Sequence, residues 1–102
     1  MKLLDTQERF EELWFSTTPQ RWIVYFTAAW CKPCQALDLT AIAGAAYGHI
    51  PIYKCDETVN KYTSGYCGVR SFPTFILFEP NRIVQSLQSN VTDVVINWIS
   101  QM

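Results

Sequence analysis

The chain has 102 residues, of which 49% are hydrophobic and 17% charged, and its formal net charge is −1. This length suits one domain covering residues 1–102, and the hydrophobic content predicts a globular chain rather than a disordered one. The balanced charge gives no support to a nucleic-acid or membrane partner, and the apolar runs are shorter than the roughly 20 residues that span a bilayer. We expect a cytoplasmic protein, because the N-terminus is charged within its first five residues and has no apolar signal segment.

The first half of the chain predicts alternating strands and helices. A short strand at residues 2–4 precedes a helix that Asp5 or Thr6 can cap. The apolar run at residues 22–28 is typical of a strand that is covered on both faces. An alanine-rich helix is then predicted over residues 31–47.

The second half predicts three more strands, at residues 50–55, 74–80 and 82–88. Residues 56–66 are predicted to form a polar helical segment or a turn. A final helix with one apolar stripe is predicted after Ser89 or Asn90, either of which can cap it. Strands separated by helices are predicted to run parallel, whereas the last two form an antiparallel hairpin. The predicted fold class is therefore α/β, with a mixed sheet of four to five strands sandwiched between helices.

The stretch WCKPC at residues 30–34 places two cysteines on either side of a Lys-Pro pair. Such cysteines can be half of a zinc site, a structural disulfide, or a dithiol that cycles between its oxidised and reduced states. A zinc site needs further ligands, which only Cys55, Cys67 and His49 could supply, and these do not form a second C-x-x-C motif.

The two cysteines of this stretch are predicted to differ in reactivity. Cys31 follows a buried strand and begins a predicted helix, where free backbone N–H groups and the helix dipole stabilise a thiolate. Lys32 adds a positive charge, and Pro33 occupies the first turn, where its missing N–H costs little. Cys34 is predicted to be more buried, so that Cys31 attacks a disulfide and Cys34 resolves the resulting mixed disulfide.

A second signal lies 42 residues after Cys31, at RSFPTFILF, where Pro73 must occupy the start of an apolar strand or a turn. FTAAWCKPC followed at this distance by FPT, in this order of elements and at this length, resembles the thioredoxin family across nearly the whole chain. The resemblance implies the thioredoxin fold, with Cys31 as the exposed nucleophile and Cys34 as the resolving cysteine. It also implies that the peptide bond before Pro73 is cis.

The same resemblance implies a docking surface for substrate polypeptides around the two cysteines. We predict that this surface consists of Trp30, Lys32, Pro33, Phe72 and Pro73.

The chain departs from the usual thioredoxin pattern at several positions. The family places a buried acid six residues before the first active cysteine, where Tyr25 stands, and a lysine in the next buried strand, where our alignment places Ile52. A phenol with a pKa of about 10 is a poor base at neutral pH. Resolution by Cys34 is therefore expected to rely on water or on a substrate group. Lys32 replaces the usual glycine between the active cysteines and changes the surface that a partner must approach.

Cys55 and Cys67 lie outside any C-x-x-C motif. The resemblance places their counterparts near each other beside the docking surface, so they form either a structural disulfide or two separate buried thiols. A disulfide between them would stabilise the fold by about 2–3 kcal/mol on the chain-entropy model and hold residues 56–66 against the rim of the active site.

The sequence therefore predicts a protein-disulfide reductase that works by dithiol–disulfide exchange, with its electrons held in the cysteines and with no bound cofactor or metal. Its expected partners are disulfide-containing protein substrates and a reductase that recharges it, and we expect a monomer that serves cell redox homeostasis. The alternative is a thioredoxin-like binding or scaffold module with little redox activity. Tyr25 and Lys32 favour this alternative, because both depart from a typical reductase.

Overall fold

The computed structural model describes residues 1–102. Its strands are β1 Lys2–Leu3, β2 Trp22–Thr27, β3 Ile52–Asp56, β4 Thr74–Glu79 and β5 Arg82–Gln88. Its α-helices are α1 Gln7–Trp14, α2 Leu39–Ala46, α3 Lys61–Tyr66 and α4 Thr92–Ser100, and a 3-10 helix covers Pro33–Ala36. None of these helices has the length and apolar content that crossing a membrane requires.

The five strands form one mixed sheet in the order β1-β3-β2-β4-β5. β3 runs parallel to both β1 and β2, whereas β4 is antiparallel to β2 and to β5. β2 is therefore the central strand, and all six of its residues are buried. The predicted mixed sheet with a C-terminal antiparallel hairpin is confirmed.

Helices cover both faces of the sheet, and β2 contributes side chains to both layers of core. Ile23 and Tyr25 belong to a cluster that also takes in residues of α2 and α4. Trp22, Val24 and Phe26 belong to a second cluster, on the face covered by α1. Successive side chains of a strand point to opposite faces, so a strand covered on both sides is apolar throughout. This explains the uninterrupted apolar run in the sequence.

The prediction of a single helix over residues 31–47 is wrong, because the helical conformation is interrupted at Leu37 and Asp38. Leu37 has an extended backbone with ψ 136°. Asp38 then caps α2, since its side chain accepts a hydrogen bond from the Ala41 amide at 3.0 Å. Its own amide donates to Thr92 Oγ1 at 2.9 Å. The break is thus fixed by a contact with the start of α4, which lies far away in sequence.

A buried polar network fastens the N-terminus of the chain to α3. The Asn60 side chain caps α3 by accepting from the Thr63 amide at 3.2 Å, and its amide group donates to the Leu4 carbonyl at 3.1 Å. Thr63 Oγ1 in turn donates to Gln7 Oε1 at 2.7 Å. Each of these groups would be costly to bury without a partner, so the network fixes the register of the first residues against α3.

Candidate active site

The candidate active site lies in the turn that follows the central strand β2. The Cys31 amide donates to the Ala28 carbonyl at 3.0 Å, which closes this turn. The Ala29 amide donates to Thr58 Oγ1 at 3.0 Å. Thr58 belongs to the loop after β3, so the turn is held from the side by a neighbouring parallel strand. No local pattern predicts this role of Thr58, because Thr58 and Ala29 are 29 residues apart in sequence.

Cys31 and Cys34 are joined by a disulfide, and their Cα atoms are 5.4 Å apart. Together with Ala28 they form a small buried cluster, against which Phe72 packs. Pro33 stands at the start of the 3-10 helix between them, where no intrahelical N–H is required. The structure therefore brings together the two cysteines that the sequence predicts as the redox pair.

The predicted difference in exposure between the two cysteines is wrong in this oxidised state. Cys31 is 3% exposed and Cys34 is 7% exposed. Both are covered because each sulfur lies against the other and because the loop at Phe72 packs on the pair. Exposure therefore does not identify the nucleophile.

Backbone hydrogen bonding does distinguish the two sulfurs. The Cys34 amide donates to Cys31 Sγ at 3.2 Å. An N–H group aimed at a sulfur stabilises negative charge there, so this contact favours a thiolate on Cys31 once the disulfide is reduced. The 3-10 helix has only four residues. The long helix whose dipole was expected to stabilise this thiolate is therefore absent at Cys31, and the amide of Cys34 is the contact that favours it.

The predicted docking surface is assembled from the turn before Cys31 and the loop before β4. Trp30 is 65% exposed, and its ring meets that of Phe72 edge to face, with centroids 5.7 Å apart. The peptide bond between Phe72 and Pro73 is cis, as the resemblance implied, and Pro73 is buried. Lys32 and Pro33 are both exposed beside the disulfide.

Tyr25 occupies the core behind this turn. It is fully buried and stacks on Phe75, with ring centroids 4.8 Å apart. Burial raises the pKa of the Tyr25 phenol, a hydrogen bond with the Thr27 side chain lowers it, and the charge of Asp56 raises it further. The net direction is upward, so the phenol is neutral at physiological pH and does not act as a base there.

The pairing of β2 with β3 shows which residue of β3 lies beside Tyr25. In the parallel pairing of β2 with β3, Ile52 lies opposite Ile23, and Lys54 lies opposite Tyr25. Lys54 is half-buried, so this chain has a lysine next to Tyr25 on the neighbouring strand. The sequence alone does not place Lys54 beside Tyr25, because the polar and apolar residues of β3 do not fix its register, which only the pairing with β2 determines.

Cys55 and Cys67 are free thiols, so of the two alternatives for this pair the structure has two separate thiols and no structural disulfide. Cys55 is fully buried, and its Sγ donates to the Asn60 carbonyl at 3.8 Å. Burial, together with smaller contributions from the charges of Asp56 and Asp5, raises the pKa of the Cys55 thiol to about 12. Burial, together with a smaller contribution from Cys55, likewise raises the pKa of the Cys67 thiol to about 12. Both sulfurs are protonated, which disfavours the thiolate through which disulfides form.

Stability is expected to fall as the pH rises from about 9 to about 12, since the unfolded thiols release protons that the native Cys55 and Cys67 retain. Below about pH 9 the folded and the unfolded protein both keep these protons, so these thiols do not lower the stability. At about pH 10.5, Cys55 alone is expected to lower the free energy of unfolding by about 2 kcal/mol, because the loss is about 1.4 kcal/mol per pH unit above about pH 9. Urea unfolding of wild type and Cys55→Ala under anaerobic conditions, at about pH 8 and about pH 10.5, measures it. The same loss in both proteins would contradict the prediction.

No three or more His, Cys, Asp or Glu side chains are grouped as metal ligands would be. The cysteines at the site are instead bonded to each other.

Comparison with known proteins gives the family of the chain. Residues 2–101 match the family model described as Thioredoxin. The chain is 34% identical over 67 residues to thioredoxin 2 of Chlorobaculum tepidum. The aligned region covers 64% of this chain and 62% of that protein. It is 26% identical over 83 residues to DnaJ homolog subfamily C member 10 of Xenopus laevis. This aligned region covers 79% of this chain but only 10% of that protein.

Solved structures show the same fold. The thioredoxin of Fasciola hepatica superposes with a TM-score of 0.83 at 22% identity, covering 99% of this chain and 98% of that one. The thioredoxin of Malassezia sympodialis superposes with a TM-score of 0.84 at 17% identity, covering 99% and 89%. The predicted thioredoxin fold is thus confirmed along the length of the sheet and its helices, and the chain belongs to the thioredoxin family.

Proposed function

We propose that the protein is a thiol–disulfide oxidoreductase that reduces protein disulfides through Cys31 and Cys34. The observation that carries this proposal is the disulfide between these cysteines at the end of the central strand, with an amide N–H aimed at Cys31 Sγ. Membership of the thioredoxin family supports the same chemistry. Cys31 is the nucleophile in this proposal, and Cys34 is the resolving thiol.

The reaction proceeds through one mixed disulfide. The Cys31 thiolate attacks one sulfur of the substrate disulfide, the substrate S–S bond breaks, and the other substrate sulfur leaves as a thiolate that takes up a proton. Cys34 then loses its proton and attacks the Cys31 sulfur, and the second substrate sulfur leaves. The substrate gains two electrons and two protons, and the protein is left with the Cys31–Cys34 disulfide.

Tyr25 affects how Cys34 loses its proton. Because the buried phenol is neutral and its pKa is raised, it cannot take the proton at physiological pH. The departing substrate thiolate and water are the remaining acceptors. The second step, in which Cys34 attacks the mixed disulfide, therefore depends on the substrate. This step is faster when the substrate thiolate released in the first step is basic and lies next to Cys34.

The exposed groups around the disulfide bind the substrate. Trp30 and Phe72 supply apolar and aromatic surface, and Lys32 supplies a positive charge. We propose disulfide-containing polypeptides as substrates, a separate reductase as electron donor, and a monomer as the working unit.

The Cys34→Ser variant tests the proposed roles directly. Without the resolving thiol, the mixed disulfide between Cys31 and a substrate is expected to accumulate, because the second step cannot occur. The variant is reduced, mixed with insulin, quenched with acid, and analysed by non-reducing electrophoresis and peptide mass spectrometry. Cys31→Ser is the matched control and is expected to give no such adduct. An adduct carried by Cys67 instead of Cys31 would contradict the assignment.

A binding module with little redox activity is the alternative, and the neutral Tyr25 favours it. A redox titration of the purified protein separates the two functions. A reversible Cys31–Cys34 couple within the range of biological thiol buffers supports the enzyme. A pair that does not exchange with those buffers supports the binding module.

A further inference from the structure

The peptide group that joins Ala28 to Ala29 is held at both of its polar ends. Its carbonyl, on Ala28, accepts the hydrogen bond from the Cys31 amide at 3.0 Å. Its N–H group, on Ala29, donates to Thr58 Oγ1 at 3.0 Å. Because a peptide group is planar and rigid, its carbonyl and its N–H group turn together. The orientation of the acceptor for the Cys31 amide is therefore coupled to the contact with Thr58.

Thr58 is itself fixed to the end of the sheet. Its amide donates to Asp56 Oδ1 at 2.8 Å, and Asp56 is the last residue of β3 and lies opposite Thr27 of β2. The amide of Glu57 donates to the Thr27 carbonyl at 2.8 Å. The Asp56 carbonyl accepts from the amide of the buried Asn60, also at 2.8 Å. These bonds give the hydroxyl of Thr58 a fixed position relative to β2 and β3.

We propose that Thr58 is a positioning residue for the reaction of Cys31. By holding the peptide group between Ala28 and Ala29, it keeps Cys31 where its sulfur receives the hydrogen bond of the Cys34 amide. That bond is 3.2 Å long. Thr58 acts in this way through the backbone of the turn. The inference rests on the proposed function, in which Cys31 is the nucleophile.

The proposed effect is on the amount of thiolate at Cys31. An N–H group stabilises a thiolate only while it points at the sulfur, since hydrogen bonds weaken steeply with distance and angle. Without the Thr58 hydroxyl, the peptide group after Ala28 is free to rotate, and Cys31 shifts relative to the Cys34 amide. Less thiolate is then present at low pH. At a pH high enough to ionise the thiol completely, the difference disappears.

The size of the effect is limited by the position of Thr58 at the surface. The residue is exposed, so water can bind the Ala29 amide in place of the hydroxyl. Removing the hydroxyl is therefore expected to loosen the turn and to leave the chain folded. The net contribution of one hydrogen bond corresponds to a factor of about 2 to 10 in an equilibrium constant, so we expect a change of about fivefold in the thiolate population.

Alkylation of Cys31 measures this population without any substrate. Thr58→Val removes the hydroxyl and keeps the shape of the side chain, whereas Thr58→Ser keeps the hydroxyl and is the matched control. Both are made in a Cys34→Ser background, which retains the amide of residue 34 and leaves Cys31 as the single thiol of the redox pair. The full chains are reduced and treated with iodoacetamide between about pH 5 and about pH 10. Peptide mass spectrometry gives the rate at Cys31, and urea unfolding checks that each chain is folded.

Thr58→Val is expected to be alkylated about fivefold more slowly than its Cys34→Ser parent at about pH 5.5, and no more slowly at about pH 9.5. Thr58→Ser is expected to remain within about twofold of the parent at every pH. With both active cysteines present, Thr58→Val is expected to reduce insulin about twofold or more slowly at about pH 7, and Thr58→Ser to restore the rate.

Three results would overturn the proposal. Equal alkylation rates for Thr58→Val and its parent at every pH would show that the anchor does not affect the thiolate. The same slowing at every pH would mean that access to Cys31 has changed instead. Equal slowing in Thr58→Ser and Thr58→Val would show that the hydroxyl is not responsible. Because iodoacetamide replaces the substrate, these outcomes can be read even if Cys31 does not reduce insulin, so a failure of the proposed function is distinguishable.

Discussion

Replacing Cys31 with serine is expected to lower the reduction of insulin disulfides by about 10³-fold or more after subtraction of the uncatalysed rate. A serine hydroxyl ionises far above neutral pH and does not form a mixed disulfide with the substrate. The amide of Cys34, which donates to Cys31 Sγ, then has no thiolate to stabilise. Insulin precipitation in the presence of dithiothreitol measures the rate for both proteins.

Cys67→Ser is the matched control for this substitution. It also exchanges a thiol for a hydroxyl, but Cys67 packs against the apolar cluster under α1 and does not belong to the cluster that the redox pair forms with Ala28. Its turnover of insulin is expected to stay within about twofold of wild type, as for a substitution outside the reacting groups. Equal rates for Cys31→Ser and wild type would show that catalysis does not depend on the proposed nucleophile.

The Phe78→Ala variant is expected to lose about 3–5 kcal/mol of unfolding free energy, because it removes a large buried aromatic ring and leaves a cavity. Phe78 is fully buried in β4 and stacks on Trp22 with centroids 5.4 Å apart. Its ring also meets those of Phe10 and Trp14 edge to face, at 5.4 and 6.0 Å. These three partners come from β2 and α1, so a single ring joins a helix to two strands.

Urea unfolding with the active-site disulfide intact measures this loss, and Phe15→Ala provides the control. Phe15 is 59% exposed, so the same change in side chain is expected to alter stability by less than about 1 kcal/mol. If both variants lost the same free energy, the stability would not come from the packing around Phe78.

The strands and the redox motif could be predicted from sequence because their signals are local. The uninterrupted apolar residues of β2 and β4 are sufficient to indicate strands covered on both faces. In contrast, the break at Asp38 depends on a hydrogen bond to Thr92, 54 residues away, which no local pattern contains. The sequence therefore predicted one helix where the structure has two.

Within the site, the limits of prediction are similar. The residues alone did not decide the isomer of the bond before Pro73, and the cis form followed only from the family resemblance. The equal burial of the two active cysteines results from the packing of Phe72, which is distant in sequence. The choice between a disulfide and free thiols for Cys55 and Cys67 depends on the apolar surroundings of both sulfurs, which appear only in the folded chain.

The two-residue strand β1 has a consequence for the association of one molecule with another. It pairs with β3 and so covers an outer edge of the sheet that would otherwise offer free N–H and C=O groups to another chain. The carbonyl of Leu4, which accepts the hydrogen bond from Asn60, anchors this short strand to α3. The Leu4 amide also donates to the Lys54 carbonyl at 2.8 Å, so both backbone groups of Leu4 are held in place. The first four residues thus protect the sheet against edge-to-edge aggregation, and the network around Asn60 keeps that protection in place.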